Sequence, residues 1–268
     1  MYIQHPYLQF MCASSELTDV LKEVIREMVE GKDVAVAFSG GLDCGIVASI
    51  AKDYANSIHL YTAGVDDAYD VNESRNVSEI LDLEWDHIRI SEDDIEDNVR
   101  EMILITGTVN PITLSFEIPL YYVSKNVPER MIIGGQGADE LFAGYSKYMG
   151  LSEDEFKDQR EADMASLLTK TLKHESMVAD HFGKEILYPY LDERVRAIVE
   201  RMDIKDIIPG EVRKKTLRDV AEAIGQPEVA AKKKKAAQYG SGAMNLLRKV
   251  AKRKDMTVNE MIAGWSDE

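Results

Sequence analysis

Two short segments carry residue types at spacings suited to phosphate chemistry. The first is Phe38-Ser39-Gly40-Gly41-Leu42-Asp43-Cys44-Gly45. Paired glycines let a backbone turn sharply and come close to an anion. A helix that follows adds free N–H groups and a partial positive charge at its start. A phosphate cradle is the predicted use, with an ordinary Ser-Gly-Gly turn as the plain alternative. The order differs from the GxxxxGK(S/T) P-loop and from the GxGxxG dinucleotide fingerprint, so neither is expected. The second segment is Ile133-Gly134-Gly135-Gln136-Gly137-Ala138-Asp139-Glu140. If both segments end strands of one sheet, Asp43 and Asp139 can meet on one Mg²⁺ that bridges phosphate oxygens, because Mg²⁺ prefers hard oxygen ligands. The plain alternative for Asp139 is a helix cap.

The surrounding pattern can place both segments at one edge. Leu17 to Glu30 repeats apolar residues at helical spacing and stops at Gly31. Short apolar runs at 33–38, 58–63, 85–90 and 130–133 read as strands. Helical stretches at 45–55, 70–81, 94–105 and 114–124 separate them. Alternating strand and helix to about residue 150 predicts an α/β fold with a parallel sheet covered by helices on both faces. Ligands of such sheets bind at the carboxyl ends of the strands, where both loops fall. Beyond residue 150 the sequence reads as helices at 152–174, 192–202, 214–224, 243–252 and 257–262. No further strand is expected, so a helical C-terminal lobe completes the architecture.

Four ordered motifs resemble the synthetase domain of the asparagine synthetase family, within the ATP-pyrophosphatase superfamily. Ser39–Cys44 is similar to its SGGxDS pyrophosphate loop. Residues 134–148, GGQGADELFAGYSKY, are similar to GxGxDExFxGYxxY. Residues 183–192, GKEILYPYLD, are similar to GxExRxPFLD. Lys214, Leu217, Arg218, Pro227, Lys234, Gly240 and Gly242 follow its K-x-x-LR…P…K…GxG ending. The resemblance covers roughly residues 17–250. It implies an N-terminal extension over 1–16, an ATP-binding core over 17–150 and a helical lobe of the same domain over 151–268. It also implies adenylation of a carboxylate by ATP with Mg²⁺, release of pyrophosphate, and transfer of the acyl group to ammonia or another amine.

Carried over residue by residue, the resemblance gives Ser39, Gly40, Gly41, Asp43 and Cys44 to the pyrophosphate. Asp43 and Asp139 go to the metal, Ala63 and Gly64 to adenine, and Gly134 and Gly135 to the nucleotide wall. Lys234 matches the family's catalytic lysine, with Lys235 as the register alternative and a solvated helix end as the plain reading of the run. Gln136 stands where asparagine synthetases carry Glu and related β-lactam-forming enzymes carry Tyr. Since Gln cannot act as a base, Glu175 enters as a candidate acid or base, against its plainer reading as a solvated helix residue. Two further departures are Cys44 in place of the last Ser and Leu187 in place of Arg. The family's glutaminase domain has no counterpart, since Cys12 lacks the context of its nucleophile. Free ammonia, another amine or a separate ammonia-supplying glutaminase is then expected.

Composition bounds the rest. The 268 residues carry 32 Lys+Arg against 48 Asp+Glu, a net charge of −16. Residues 205–255 are basic, with 14 Lys+Arg against 6 Asp+Glu. An acidic body argues against a nucleic-acid or anionic-membrane binder, because both partners are polyanions. The basic stretch containing Lys234 reads as a cationic cover over phosphates. The two cysteines, Cys12 and Cys44, allow no disulfide framework, so a reducing cytoplasm is the expected compartment. There is no signal-peptide pattern and no membrane-length apolar run. His5, His59, His87, His174 and His181 lack metal-ligand spacing. Two other classes stay open. One is a tRNA-modifying adenylating enzyme, which the charge opposes. The other is a non-catalytic ATP-binding relative, which Gln136 and Cys44 favour. The carboxylate and the oligomeric state, a homodimer included, are not legible.

Overall fold

The computed structural model describes residues 6–208, 212–232 and 240–266, with backbone only for 6–13 and 266. Helix α1 (Pro6–Val29) leads into β1 (Asp33–Ala37), α2 (Leu42–Ala51), β2 (Ser57–Gly64), α3 (Tyr69–Leu81) and β3 (Trp85–Arg89). Next come α4 (Ile95–Thr106), α5 (Pro111–Asn126), β4 (Met131–Ile133) and the single turn α6 (Ala138–Leu141). The remaining elements are α7 (Glu153–Ser166), α8 (Leu172–His181), β5 (Glu185–Leu187), α9 (Glu193–Glu200), α10 (Ile204–Ile207), α11 (Lys215–Ala223), α12 (Pro227–Ala230), α13 (Ala243–Arg253) and α14 (Val258–Ser266).

The sheet is parallel throughout, in the order β3-β2-β1-β4-β5. β1 is central, and its side chains alternate between two cores because a strand turns successive residues to opposite faces. Val34 and Val36 join α1, α2 and the later helices α9 and α11. Ala35 joins α4, α5, α13 and α14. A parallel sheet needs such cover on both faces, and the α/β reading of the sequence agrees with it. From β1 the chain steps outward to β2 and β3, whereas β4 and β5 lie on the other side. The crevice between the carboxyl ends of β1 and β4 is therefore the switch point where α/β sheets bind ligands.

Three elements depart from expectation. The strand β5 was not expected, since a three-residue Glu-Ile-Leu run is too short to show a period. It pairs with β4 from Met131↔Glu185 to Ile133↔Leu187, so the region after residue 150 contributes an edge strand as well as helices. The first helix starts at Pro6 instead of Leu17. The expected helix 152–174 extends to residue 181 as α7, a π-helical turn at Leu167–Thr171, and α8. No single helix among the described residues is long and apolar enough to cross a membrane.

Candidate active site

The loop after β1 closes on itself around Cys44. The Ser39 backbone N–H donates to Cys44 Sγ at 3.4 Å, and the Ser39 hydroxyl lies 3.3 Å from that sulfur. Cys44 is buried, and burial pushes its thiol up despite the hydrogen bonds from Ser39, so it remains a neutral thiol. It braces the loop from inside in the place where the motif expects a hydroxyl. No side chain caps α2 at Gly41, which leaves the first-turn amides without a side-chain partner. Gly40 has φ +68°, and a Cβ there would come within 2.6 Å of the Ser74 backbone nitrogen. Only glycine fits this turn against α3. The loop after β4 packs directly on it, since a Cβ on Gly135 would sit 3.0 Å from Asp43 Cβ.

This packing brings Asp43 and Asp139 together, with a lysine between them that the site assignment from sequence left out. Lys214 Nζ lies 2.5 Å from Asp43 Oδ2 and 2.6 Å from Asp139 Oδ1, and its side chain is 3% exposed. Burial alone would lower the Lys214 pKa, but the flanking carboxylates outweigh it and hold the ammonium above its ordinary value. Gly144 makes the room, because a Cβ there would collide with Asp139 and Lys214. Asp43 Oδ1 is buried with no hydrogen-bond partner among the described residues. The Tyr190 hydroxyl secures this loop by donating to the Asp43 carbonyl at 3.0 Å. Lys214 had a readable signal. It precedes α11 as the first residue of the K-x-x-LR stretch that the resemblance picks out.

A second cluster lies beside the first. Gln136 Nε2 donates to Glu175 Oε1 at 2.5 Å, and the Tyr188 hydroxyl donates to Glu175 Oε2 at 2.7 Å. Glu175 is therefore buried, not solvated as its plainer reading had it. Burial pushes it up to about 7; the two hydrogen bonds oppose that rise and the charges of Glu117 and Glu140 add to it. The chain holds Leu187, where the motif has Arg, in a partly buried apolar position on β5.

A cavity of about 230 Å³ gathers most of the expected residues. Ser39, Asp43, Cys44, Ala63, Gly134, Gly135, Gln136, Asp139 and Glu175 all line it. Gly40, Gly41 and Gly64 are not in its lining. Gly64 instead packs on Val71 and the Ser241 carbonyl, and that carbonyl accepts from the Val65 N–H at 2.9 Å. A larger cavity, about 540 Å³, adjoins it and shares Phe116, Gln136 and Asp139 as a common wall. Lys234 and Lys235 lie outside the described residues. The residue before the segment, Lys232, pairs with Glu73 on α3, and its carbonyl accepts from Arg218 Nη2 at 2.9 Å.

Comparison with known proteins places the chain in a family. A family model described as asparagine synthase matches residues 16–160 and 148–261. The Methanocaldococcus jannaschii protein named "Putative asparagine synthetase (glutamine-hydrolyzing) 1" is 30% identical over a 281-residue alignment that covers 90% of this chain and 52% of that protein. Asparagine synthetase B (glutamine-hydrolyzing) of Escherichia coli is 22% identical, covering 85% of this chain and 45% of that one. The chain thus spans about half the length of these curated relatives. Among solved structures, NMN synthetase from Francisella tularensis aligns over 96% of this chain and 93% of that one with TM-score 0.45 and 13% identity, a likeness too slight to carry any inference. On the family match over most of its length, the chain belongs to the asparagine synthase family.

Proposed function

We propose that the chain is an ATP-dependent ligase that adenylates a carboxylate, releases pyrophosphate and passes the acyl group to an amine. The observation that carries this reading is that Asp43 and Asp139, from the loops after β1 and β4, come together about the Lys214 ammonium at the switch of the sheet. A phosphate loop and a pair of carboxylates at that place suit a metal-bound triphosphate. The carboxylate oxygens are donors that suit Mg²⁺: Lys214 takes Asp43 Oδ2 and Asp139 Oδ1, while Asp43 Oδ1 is a buried acceptor that has no hydrogen-bond partner among the described residues. Asp43 and Asp139 would hold the ion, which supplies charge neutralisation across the phosphate oxygens when bound.

The chain's own groups do the rest in this reading. Ser39 and the Gly40–Gly41 backbone hold the pyrophosphate, with Cys44 bracing them. Ala63 forms the adenine end, with Gly64 behind it packed on Val71 and the Ser241 carbonyl, and Gly134 and Gly135 keep the nucleotide wall free of side chains. Lys234, or Lys235 in the alternative register, stabilises the charge that develops between carboxylate and α-phosphate. Glu175, whose pKa is pushed to about 7, is poised to take or give a proton near neutral pH, and Gln136 orients it through their shared hydrogen bond. The carboxylate is aspartate-like by family, and the amine is ammonia or an organic amine. Ammonia would come free or from a separate glutaminase.

The test is an ATP–pyrophosphate exchange screen over amino acids and small carboxylates. Exchange that depends on one carboxylate is expected, and its loss in Lys234→Ala with ATP binding retained is expected too. Exchange unchanged in that variant moves the role to Lys235. ATP binding with no exchange or pyrophosphate release across the whole panel would leave a nucleotide-binding protein and overturn the ligase reading.

A further inference from the structure

The 540 Å³ cavity is far larger than ammonia needs, since a molecule of that size fills about 30 Å³ of liquid. Its volume is that of a pocket for an organic molecule. It opens onto the proposed acyl-transfer site through Phe116, Gln136 and Asp139. A π-helical turn supplies Leu167 and Thr171 to its wall, and such turns recur at functional sites.

The charge of this wall is unevenly compensated. Lys147 pairs with Asp163 at 2.6 Å, and Lys214 with Asp139 at 2.6 Å. Two carboxyls keep only weak partners. Glu140 accepts from the Tyr145 hydroxyl at 2.7 Å. Glu117, 5% exposed, shares a hydrogen bond with His174 at 2.9 Å. Burial lowers His174, so the imidazole favours its neutral form, and burial pushes Glu117 up to about 8. Among the described residues Arg213 is the wall's one cation without a carboxylate partner, and it donates to the Gly144 carbonyl. Neither Glu117 nor Glu140 has a Lys or Arg partner among the described residues, and an ammonium ion entering here supplies one, drawing the proton off Glu117 as it pairs with the carboxylate.

We propose that this cavity seats the second substrate of the ligase, an organic primary ammonium ion, and that Glu117 is the carboxylate that selects it. The proposal rests on the ligase reading for the fate of the amine but not for its binding. Arg213 marks where a carboxylate on the amine's far end would lie, so the body of the amine is probed in three forms.

The wild-type chain is titrated calorimetrically with ammonium chloride, ethanolamine, 1,4-diaminobutane and β-alanine. The same amines are then compared in pyrophosphate release with the carboxylate that supports exchange. At least one organic amine is expected to bind tenfold or more tighter than ammonium and to exceed it tenfold in kcat/KM. Ammonium equal to or better than all three in binding overturns the proposal, whatever the exchange screen shows. Absence of exchange with amine selectivity intact removes the ligase reading alone. In Glu117→Gln the KM for the preferred amine should rise at least tenfold relative to any change in the KM for the carboxylate; equal changes in both overturn the role of Glu117. Should that variant fail to fold, the wild-type titration still decides the cavity's ligand class.

Discussion

Lys214 holds two carboxylates, at 2.5 Å and 2.6 Å from its ammonium, that would otherwise repel one another. Removing one partner of a buried charge cluster costs about 3–5 kcal/mol, because the remaining charges stay buried and uncompensated. Lys214→Met should therefore lose about that much stability in urea denaturation. If Asp43 and Asp139 are a cation site, millimolar Mg²⁺ should restore part of the loss, and a variant indifferent to Mg²⁺ would exclude that pair as the site. Glu175 makes a second prediction. Its carboxyl titrates near 4.5 when unfolded and near 7 when folded. Between those values the native state keeps a proton the unfolded chain has released, so stability falls as pH rises through that window, by up to about 3 kcal/mol. In Glu175→Gln the decline of Tm from pH 4.5 to 7 should be shallower than in the parent. Equal slopes would mean that Glu175 is not desolvated as its burial indicates.

At the scale of elements, α5 links both cavities, since Phe116 lines each and Glu117 lines the larger. Its start is set by Pro111 at the first helical position and by the Asn110 side chain, which accepts from the Ile112 and Thr113 N–H groups. Asn110→Ala should cost about 1 kcal/mol, read as a shift in the urea midpoint at constant m-value. The central elements were legible from sequence because their signals are local: the buried Val-Ala-Val of β1, the glycines that follow it, and the amphipathic face of α1. β5 was not legible, since three residues carry no periodicity and the strand exists only through pairing with β4. Glu175 was misweighted for a related reason. Its helix looks polar along the chain, and only docking α8 against β5 and the β4 loop buries that carboxyl beside Gln136 and Tyr188.

Across the whole molecule, the acidic body and the basic stretch at 205–255 have different jobs in this reading. Lys214 from that stretch offsets one of the two charges of the Asp43–Asp139 pair, and Lys232 reaches Glu73, so its basic groups are partly spent on the acidic α/β half. A chain of net charge −16 should then bind MgATP without binding bulk polyanions. Saturating MgATP should raise Tm by mass action, while a gel shift with bulk tRNA at moderate salt should show no complex. Retarded tRNA would restore the tRNA-modifying alternative.

By itself the sequence determined the alternation of strand and helix, the two glycine-rich loops, the acidic residues in them and, through four ordered motifs, the family. These are short-range properties, written in consecutive residues. The tertiary structure alone decided which distant groups share a site: Lys214 between carboxylates 171 and 75 positions before it, Glu175 on Gln136 across 39 positions, and Glu117 on His174 across 57. Such pairs leave no periodic trace. Their chemistry comes from burial, and burial depends on how all the layers close around the sheet.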